Sequence, residues 1–213
     1  MAALALAVAS SAAMAADDSG VYVLASIGQS KFKDYPPKMS AEDIEDGLLA
    51  NGDDKDTAWK LQVGYQFNKY FALEGGYFDL GEASQKLSIP DANISGKETY
   101  ESNGFNLSAV GMLPLGDSGF SLFGKLGVFT AKTKQKLSLV EDGDTYRESL
   151  SDRKTGVIYG LGALYNITPQ LAIRAEYEIY NKVDPGSKTI DGEKVSGDDS
   201  KVNVWSVGLS YRF

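Results

Sequence analysis

The 213-residue sequence contains no cysteine and no histidine. Without cysteine, neither a disulfide nor a thiolate metal site can form. Histidine is the commonest general base and metal ligand, so its absence argues against an enzyme and against a metal or other cofactor. Twenty-one basic residues against 29 acidic ones leave a net charge of −8. Nucleic acid is therefore not expected as a partner.

The sequence also lacks any apolar run of about 18 residues, which excludes a transmembrane helix. A membrane-spanning β-barrel passes this filter, because each of its strands carries only a weak hydrophobic signal. At the N-terminus, an alanine- and leucine-rich stretch ends in Ala13-Met14-Ala15, a cleavage pattern of small residues. We expect residues 1–15 to be a signal peptide, itself truncated at its N-terminus, that is cleaved between Ala15 and Ala16. Residues 16–213 would then form the mature domain.

Eight stretches alternate apolar and polar residues with the period of two that is typical of β-strands. In the clearest of them, apolar side chains occupy the odd positions from Trp59 to Phe67 and polar or small ones the even positions. Each stretch is about 10 residues long, the length with which a tilted strand crosses a bilayer. The stretches cover residues 20–29, 57–67, 70–80, 103–115, 119–131, 155–167, 171–180 and 201–213.

The connections between these stretches alternate between short and long. Short turns are predicted at residues 68–69, 116–118 and 168–170, and long polar loops at residues 31–56, 81–102, 132–154 and 181–200. This asymmetry is typical of outer-membrane barrels, which have short periplasmic turns and long extracellular loops. Within the first loop, the spacing from Ser40 to Gly52 predicts a short surface helix.

The position of the charges decides which face of the strands meets lipid. The strand faces that would point inward carry charged residues. In a soluble barrel these faces would form a dry core, and burying the charges there would cost too much free energy. A polar lumen removes this cost. The sequence therefore predicts an all-β fold, an eight-stranded antiparallel up-and-down transmembrane β-barrel. Its luminal charges would be Lys60, Glu74, Lys125, Arg174, Glu176, Glu178 and Arg212.

Three segments resemble the transmembrane domain of the OmpA-like outer-membrane family. They are "ALEGGYF" (72–78), "ITPQLAIRAEYEIY" (167–180) and "SVGLSYRF" (206–213). The resemblance covers essentially the whole mature chain, and it is to members that lack a peptidoglycan-binding domain. It implies the outer membrane of a Gram-negative bacterium as the location. It also implies that Tyr211 and Phe213 are a signal for the barrel-assembly machinery.

The resemblance further implies a set of luminal site residues. Glu74 matches the acid of a Glu–Arg pair that acts as a gate in the family, and Arg174 and Glu176 match its R-x-E-Y segment. Lys125 lies where the family also has a basic residue. Two other charged luminal positions of the family are Val110 and Leu164 here, which puts a switch of partners in question. Two interpretations stay open: a static network that fills and stiffens the barrel, and a gate over a narrow ion path.

The expected function is that of a structural outer-membrane barrel with at most a narrow, low-conductance channel for ions or small solutes. The alternative is a surface adhesin that acts through its extracellular loops. A soluble ligand-binding barrel is opposed by the charged lumen. Expected partners are outer-membrane lipid and lipopolysaccharide, the barrel-assembly machinery and periplasmic chaperones, with the barrel itself a monomer. No catalytic residue and no metal ligand is assigned, since barrel enzymes of the outer membrane resemble one another in needing histidine.

Overall fold

The computed structural model describes seven ranges of the chain: 19–33, 49–89, 94–141, 144–182, 188–190, 193–195 and 201–213. The predicted signal peptide and its cleavage site at Ala15 and Ala16 lie outside these ranges. Within the described residues, no helix is long and apolar enough to cross a membrane.

The described residues form eleven strands. They are β1 (Gly20–Phe32), β2 (Leu49–Asp53), β3 (Lys55–Asn68), β4 (Phe71–Ile89), β5 (Ile94–Pro114), β6 (Phe120–Glu141), β7 (Asp144–Asn166), β8 (Leu171–Lys182), β9 (Lys188–Ile190), β10 (Glu193–Val195) and β11 (Lys201–Arg212). Strands β9 and β10 pair only with each other, and β2 and β3 follow each other along the same edge of β4.

The remaining strands close into a barrel of eight antiparallel members, which confirms the predicted fold class. Around the wall the order is β1, β3, β4, β5, β6, β7, β8 and β11, and β11 pairs with β1 to close the ring. Each member pairs with the strand next to it in the chain, apart from the closing contact between the two ends. Each of the eight alternating stretches of the sequence lies in one of these barrel strands, with at most one residue beyond the end of the strand.

The alternation sorts side chains between lipid and lumen as predicted. On β3, Leu61 and Val63 are more than half exposed on the outer face, whereas Lys60 and Gln62 are at most 2% exposed on the inner face. Aromatic residues form an outer girdle near each end of the barrel. The lower girdle contains Phe67, Phe71, Phe120, Tyr165, Tyr211 and Phe213, and the upper one Trp59, Tyr77, Phe105, Tyr177 and Trp205. Such girdles lie at the headgroup level of a bilayer.

The short turns are built from side chains that replace missing backbone partners. The Asn68 side-chain oxygen accepts hydrogen bonds from the N–H groups of Tyr70 and Phe71, at 2.8 and 3.1 Å. The Thr168 hydroxyl accepts one from the N–H of Leu171 at 2.9 Å. In the turn after β5, Gly116 adopts a left-handed conformation that a residue with a Cβ rarely takes. The three turns join β3 to β4, β5 to β6 and β7 to β8 of an antiparallel ring, so all three predicted short turns lie at the same end of the barrel.

Two of the predicted long connections consist largely of β-structure. Residues 81–102 and 132–154 continue the barrel strands as tall hairpins, with β4 and β5 extending to residues 89 and 94, and β6 and β7 to residues 141 and 144. Beyond the membrane both faces of a hairpin meet water, so its strands need no apolar alternation that a sequence reading would detect. The predicted helix from Ser40 to Gly52 is wrong where it can be seen, because Leu49–Asp53 is a strand. The rest of that helix lies outside the described residues.

Candidate functional site: a charged cluster in the lumen

Six charged side chains meet in the middle of the barrel. Three are cations and three are anions, so their formal charges cancel, and each is at most 4% exposed. They come from four strands of the wall: Lys60 on β3, Glu74 on β4, Lys125 on β6, and Arg174, Glu176 and Glu178 on β8. We call these six residues the luminal cluster. The seventh predicted luminal charge, Arg212, lies apart at the periplasmic end and is half-buried.

Glu74 and Arg174 contact each other across the lumen. The guanidinium donates to both carboxylate oxygens of Glu74, through Nη1 to Oε1 and through Nη2 to Oε2 at 3.2 Å. Such a two-point contact has the geometry that fits guanidinium to carboxylate. Arg174 Nε also lies 3.0 Å from Glu176 Oε1, an ion pair that does not have the geometry of a hydrogen bond. The Tyr22 hydroxyl donates to Glu74 Oε1 at 2.6 Å.

Lys125 is the centre of the cluster, because its ammonium group contacts all three carboxylates. Lys125 Nζ lies 3.0 Å from Glu74 Oε2, 3.1 Å from Glu176 Oε2 and 2.9 Å from Glu178 Oε1. Lys60 completes the cluster with contacts to Glu178 and, at 3.3 Å, to Glu176. Each carboxylate therefore faces at least two cations. An arrangement of this kind offsets the cost of removing the charges from water only because every member has partners.

Small residues beside the cluster make room for its long side chains. Glu176 lies between Ser206 of β11 and Gly162 of β7 in the strand register, and Glu178 lies beside Gly160. Glu74 is flanked in the same way by Gly64 and Ser108. The alternation of large charged and small residues around the wall lets the charged groups reach the axis. Gly160 and Gly162 of β7 thus leave space in the lumen for Glu178 and Glu176.

Two apolar layers enclose the luminal cluster. On the extracellular side, the rings of Phe78, Phe129 and Tyr180 contact one another, with centroids 4.9–5.9 Å apart. Leu80, Ile158 and Val204 pack into the same layer. On the periplasmic side lies a second layer of Tyr22, Ala72, Val110 and Phe123, with Met112 and Leu164 against it. We call these the upper and lower layers.

The lower layer explains the two departures from the family's charged positions. Val110 is 2% exposed, and Leu164 packs against the same layer. The Arg174 guanidinium lies over the ring of Phe123, with its carbon 4.0 Å from the ring centroid. Below the lower layer, a vestibule of ≈ 210 Å³ opens toward the periplasmic turns and is lined in part by Gln66, Met112 and Arg212. The apolar residues thus form the floor of the cluster.

The two aromatic residues of the predicted assembly signal lie on the outer face of the barrel. Tyr211 and Phe213 are about half exposed, and their rings contact each other edge to face with centroids 5.3 Å apart. The N–H of Phe213 donates to the carbonyl oxygen of Val21 at 3.0 Å. The last residue is therefore bonded to the first strand at the closing contact of the barrel.

Several residues of the site were not predicted from the sequence. Tyr22 contacts Glu74, and Phe78, Phe129 and Tyr180 form the upper layer, although all four lie on the face that was treated as polar. A detectable signal does exist for three of them. Phe78, Phe129 and Tyr180 lie on the polar face near the extracellular end of their strands, where apolar residues occupy both faces.

The family model described as "Outer membrane protein beta-barrel domain" matches residues 1–213. Outer membrane protein A of Shigella flexneri is 32% identical over 154 residues, which are 70% of this chain and 38% of that protein. Outer membrane protein P5 of Haemophilus influenzae is 28% identical over 211 residues, 98% of this chain and 57% of that protein. The chain thus spans about two fifths to three fifths of the length of these relatives.

Two further similarities are to a shorter segment and to a solved structure. Virulence membrane protein PagC of Salmonella typhimurium is 32% identical over 94 residues, 44% of this chain and 43% of that protein. The crystal structure of Ail, the attachment invasion locus protein of Yersinia pestis, has 22% identity and a TM-score of 0.49, and covers 92% of this chain and 99% of that chain. From the family model and the closed barrel together, the chain belongs to the outer membrane β-barrel family and lies in the outer membrane of a Gram-negative bacterium.

Proposed function

We propose that the protein has a structural role in the outer membrane, with a lumen that is filled rather than open. One observation supports this role: side chains fill the lumen at three successive heights along the barrel axis. These are the upper layer, the luminal cluster and the lower layer. An eight-stranded barrel has an interior only just wide enough for side chains to fill. Any current through such a lumen would be small. The proposal assigns no catalytic activity.

The internal contacts of the cluster favour a static network over a gate. A gating acid must exchange one partner for another, and that requires a free partner within reach. Glu74 already contacts Arg174, Lys125 and Tyr22 at the same time. Val110 and Leu164 offer no charge to which Arg174 or Glu74 would move. The cluster therefore supports a stiffening role for the barrel wall.

The proposal also includes assembly and partners. Phe213 and Tyr211 would present the folding signal to the barrel-assembly machinery after delivery by periplasmic chaperones, and the barrel would act as a monomer in contact with outer-membrane lipid and lipopolysaccharide.

A deletion strain tests the structural role. Cells that lack the protein are expected to release periplasmic enzymes and to become sensitive to detergent, because a stiff protein is lost from the membrane. Uptake of small charged solutes into intact cells is expected to stay at the wild-type rate. The measurements are the activity of a periplasmic marker in the medium and the rate of solute uptake. Slower uptake in cells with normal integrity would contradict the proposal and favour a channel.

A second candidate, an adhesin, is favoured by the hairpin of β6 and β7. Above the membrane, one face of this hairpin continues the luminal face of β6 and β7. On this face Leu137, Tyr146 and Leu150 are 40–62% exposed. Apolar side chains grouped on a water-exposed surface indicate a contact with another macromolecule. The relative PagC is described as a virulence membrane protein, which agrees with this alternative.

The adhesin role predicts that Tyr146→Ser combined with Leu150→Ser lowers the attachment of expressing cells to a host-cell monolayer. A matched control is Ser149→Ala combined with Ser151→Ala, which changes two residues on the opposite face of the same strand. Equal attachment of both double variants and the wild type would remove the adhesin candidate.

A further inference from the structure

A group of basic residues lies on the outer face of β6 and β7, just above the lipid-facing belt. Lys132, Lys134 and Lys136 alternate along β6 on the outward side, and Arg153 stands on β7. We call these four residues the basic patch. The segment from which they come, residues 132–154, holds six basic and five acidic residues, whereas the other three long connections together carry a net charge of −8. Four cations thus lie together on one side of an acidic protein, with Glu101 as the cross-strand neighbour of Lys134 on the same face.

The register of the patch sets two like charges directly against each other. Lys132 is the cross-strand partner of Arg153. Side chains at such paired positions have Cβ atoms about 4.5–5.5 Å apart, and like charges there destabilise the sheet. Among the described residues, the ion pair on this face joins Lys136 to Glu101, which leaves Lys132 and Arg153 without a carboxylate partner. An anion bound between these two cations would remove their repulsion.

The height and direction of the patch indicate where that anion comes from. Along β6 the outward positions run Leu126, Val128, Thr130 and then Lys132, so Lys132 is the first charged outward residue above the belt. Arg153 lies at the same height on β7, where it is the next outward residue above Val157 and Thr155. Asn103 is the neighbour of Lys132 on β5. On the outer face it is the next residue above Phe105 of the upper girdle, in the direction away from the membrane. Because aromatic girdles mark the headgroup level, the patch faces sideways into the headgroups of the outer leaflet.

We propose that the basic patch binds the phosphate groups of a lipid in the outer leaflet, with Lys132 and Arg153 on either side of one phosphate and Lys134 beside them. Lysine and arginine are the side chains that pair with phosphate oxygens, arginine through two N–H groups at once. The acyl chains of the same lipid would lie along the outward face of β6 and β7, over Leu126, Val128 and Val157. This site rests on the position of the barrel in the outer membrane and not on the filled lumen, so its failure would leave the structural role standing.

The test compares two double variants that remove the same charge from different heights. Lys132→Gln with Arg153→Gln removes the like-charge pair at the edge of the belt. Lys86→Gln with Lys97→Gln removes a second directly paired set of lysines, which lies six residues, or about 20 Å, further along the strand from the membrane. Refolded proteins in phosphocholine micelles are titrated with bisphosphorylated lipid A, with its dephosphorylated form, and with inorganic pyrophosphate at equal phosphate concentration.

The wild type is expected to bind bisphosphorylated lipid A and not the dephosphorylated lipid. The Lys132/Arg153 variant is expected to bind it roughly 30-fold more weakly, the loss for two cations near an anionic lipid surface. The Lys86/Lys97 variant should bind like the wild type. Without lipid, the Lys132/Arg153 variant should fold and melt at or above the wild-type temperature, since a repulsion has been removed.

Four results would overturn the proposal. Equal losses in both double variants would mean that only net charge matters. Unchanged binding in the Lys132/Arg153 variant would mean that the patch is not the site, and a folding failure of that variant would refute the repulsion on which the argument depends. If pyrophosphate competes as well as the lipid itself, the patch binds soluble anions and not a membrane lipid.

Discussion

Glu74→Ala is expected to lower the free energy of unfolding of the barrel by about 3–5 kcal/mol, the usual cost of removing one member of a buried ion pair. The substitution removes contacts to Arg174, Lys125 and Tyr22. It also leaves three cations facing two carboxylates in a space from which water is largely excluded. Arg174→Ala should also destabilise the barrel, but the excess charge that it leaves is negative, with two cations facing three carboxylates.

The double variant should recover part of the loss, because removal of both residues restores two cations and two anions. Such non-additivity is expected for residues that share an interaction. The measurement is the urea midpoint of the refolded barrel in lipid vesicles for the wild type, both single variants and the double variant. Gln66→Ala offers a control, since it changes a luminal residue outside the cluster. Strictly additive losses would mean that Glu74 and Arg174 act independently.

Gly104→Ala is expected to be the second severe substitution. Gly104 faces the lumen on β5, and a Cβ at this position would lie 2.0 Å from the carbonyl oxygen of Thr130 on β6. No side-chain rotation relieves a contact with backbone, so the two strands would have to separate locally. We expect a loss of about 3 kcal/mol, at the upper end of what overpacking costs, or a failure to fold.

Gly111→Ala is the matched control on the same strand. Gly111 faces outward, and a Cβ there would meet no atom within 4 Å. This variant should keep the wild-type urea midpoint or exceed it, because glycine in a strand interior weakens the strand. Heat-modifiable migration on a gel would show whether each variant folds. Equal midpoints for the two variants would mean that β5 and β6 are not packed as closely as the structure has them.

The barrel itself could be predicted from the sequence because lipid imposes a strict pattern. Every strand inside the membrane must alternate, and a shift by one residue would turn its charges toward lipid. The hairpins above the membrane carry no such pattern. From Lys132 to Ser138 and from Glu148 to Arg153, polar residues occupy both faces. The cross-strand backbone hydrogen bonds that extend these strands leave no signal in the sequence.

The candidate site was predictable only in part. The charges of β8 on the polar face indicate a charged lumen, and the family resemblance implies the partnership of Glu74 with Arg174. The central position of Lys125 depends on how far each strand is shifted against its neighbours, and single-strand patterns do not determine that shift. The upper layer was missed because Phe78, Phe129 and Tyr180 are apolar residues on a face otherwise assigned to polar groups. The basic patch likewise required the register that sets Lys132 against Arg153.

The most direct test of the filled lumen is single-channel recording from Glu74→Ala in planar bilayers beside the wild type. A gate that depends on the Glu74–Arg174 pair would open when the pair is broken. In the structure, Phe78, Phe129 and Tyr180 pack on one another above the pair, so we expect them to close the lumen on the extracellular side in Glu74→Ala as well. We therefore predict that folded wild type and folded Glu74→Ala are both silent, whereas frequent openings of Glu74→Ala above a silent wild type would contradict the structural role.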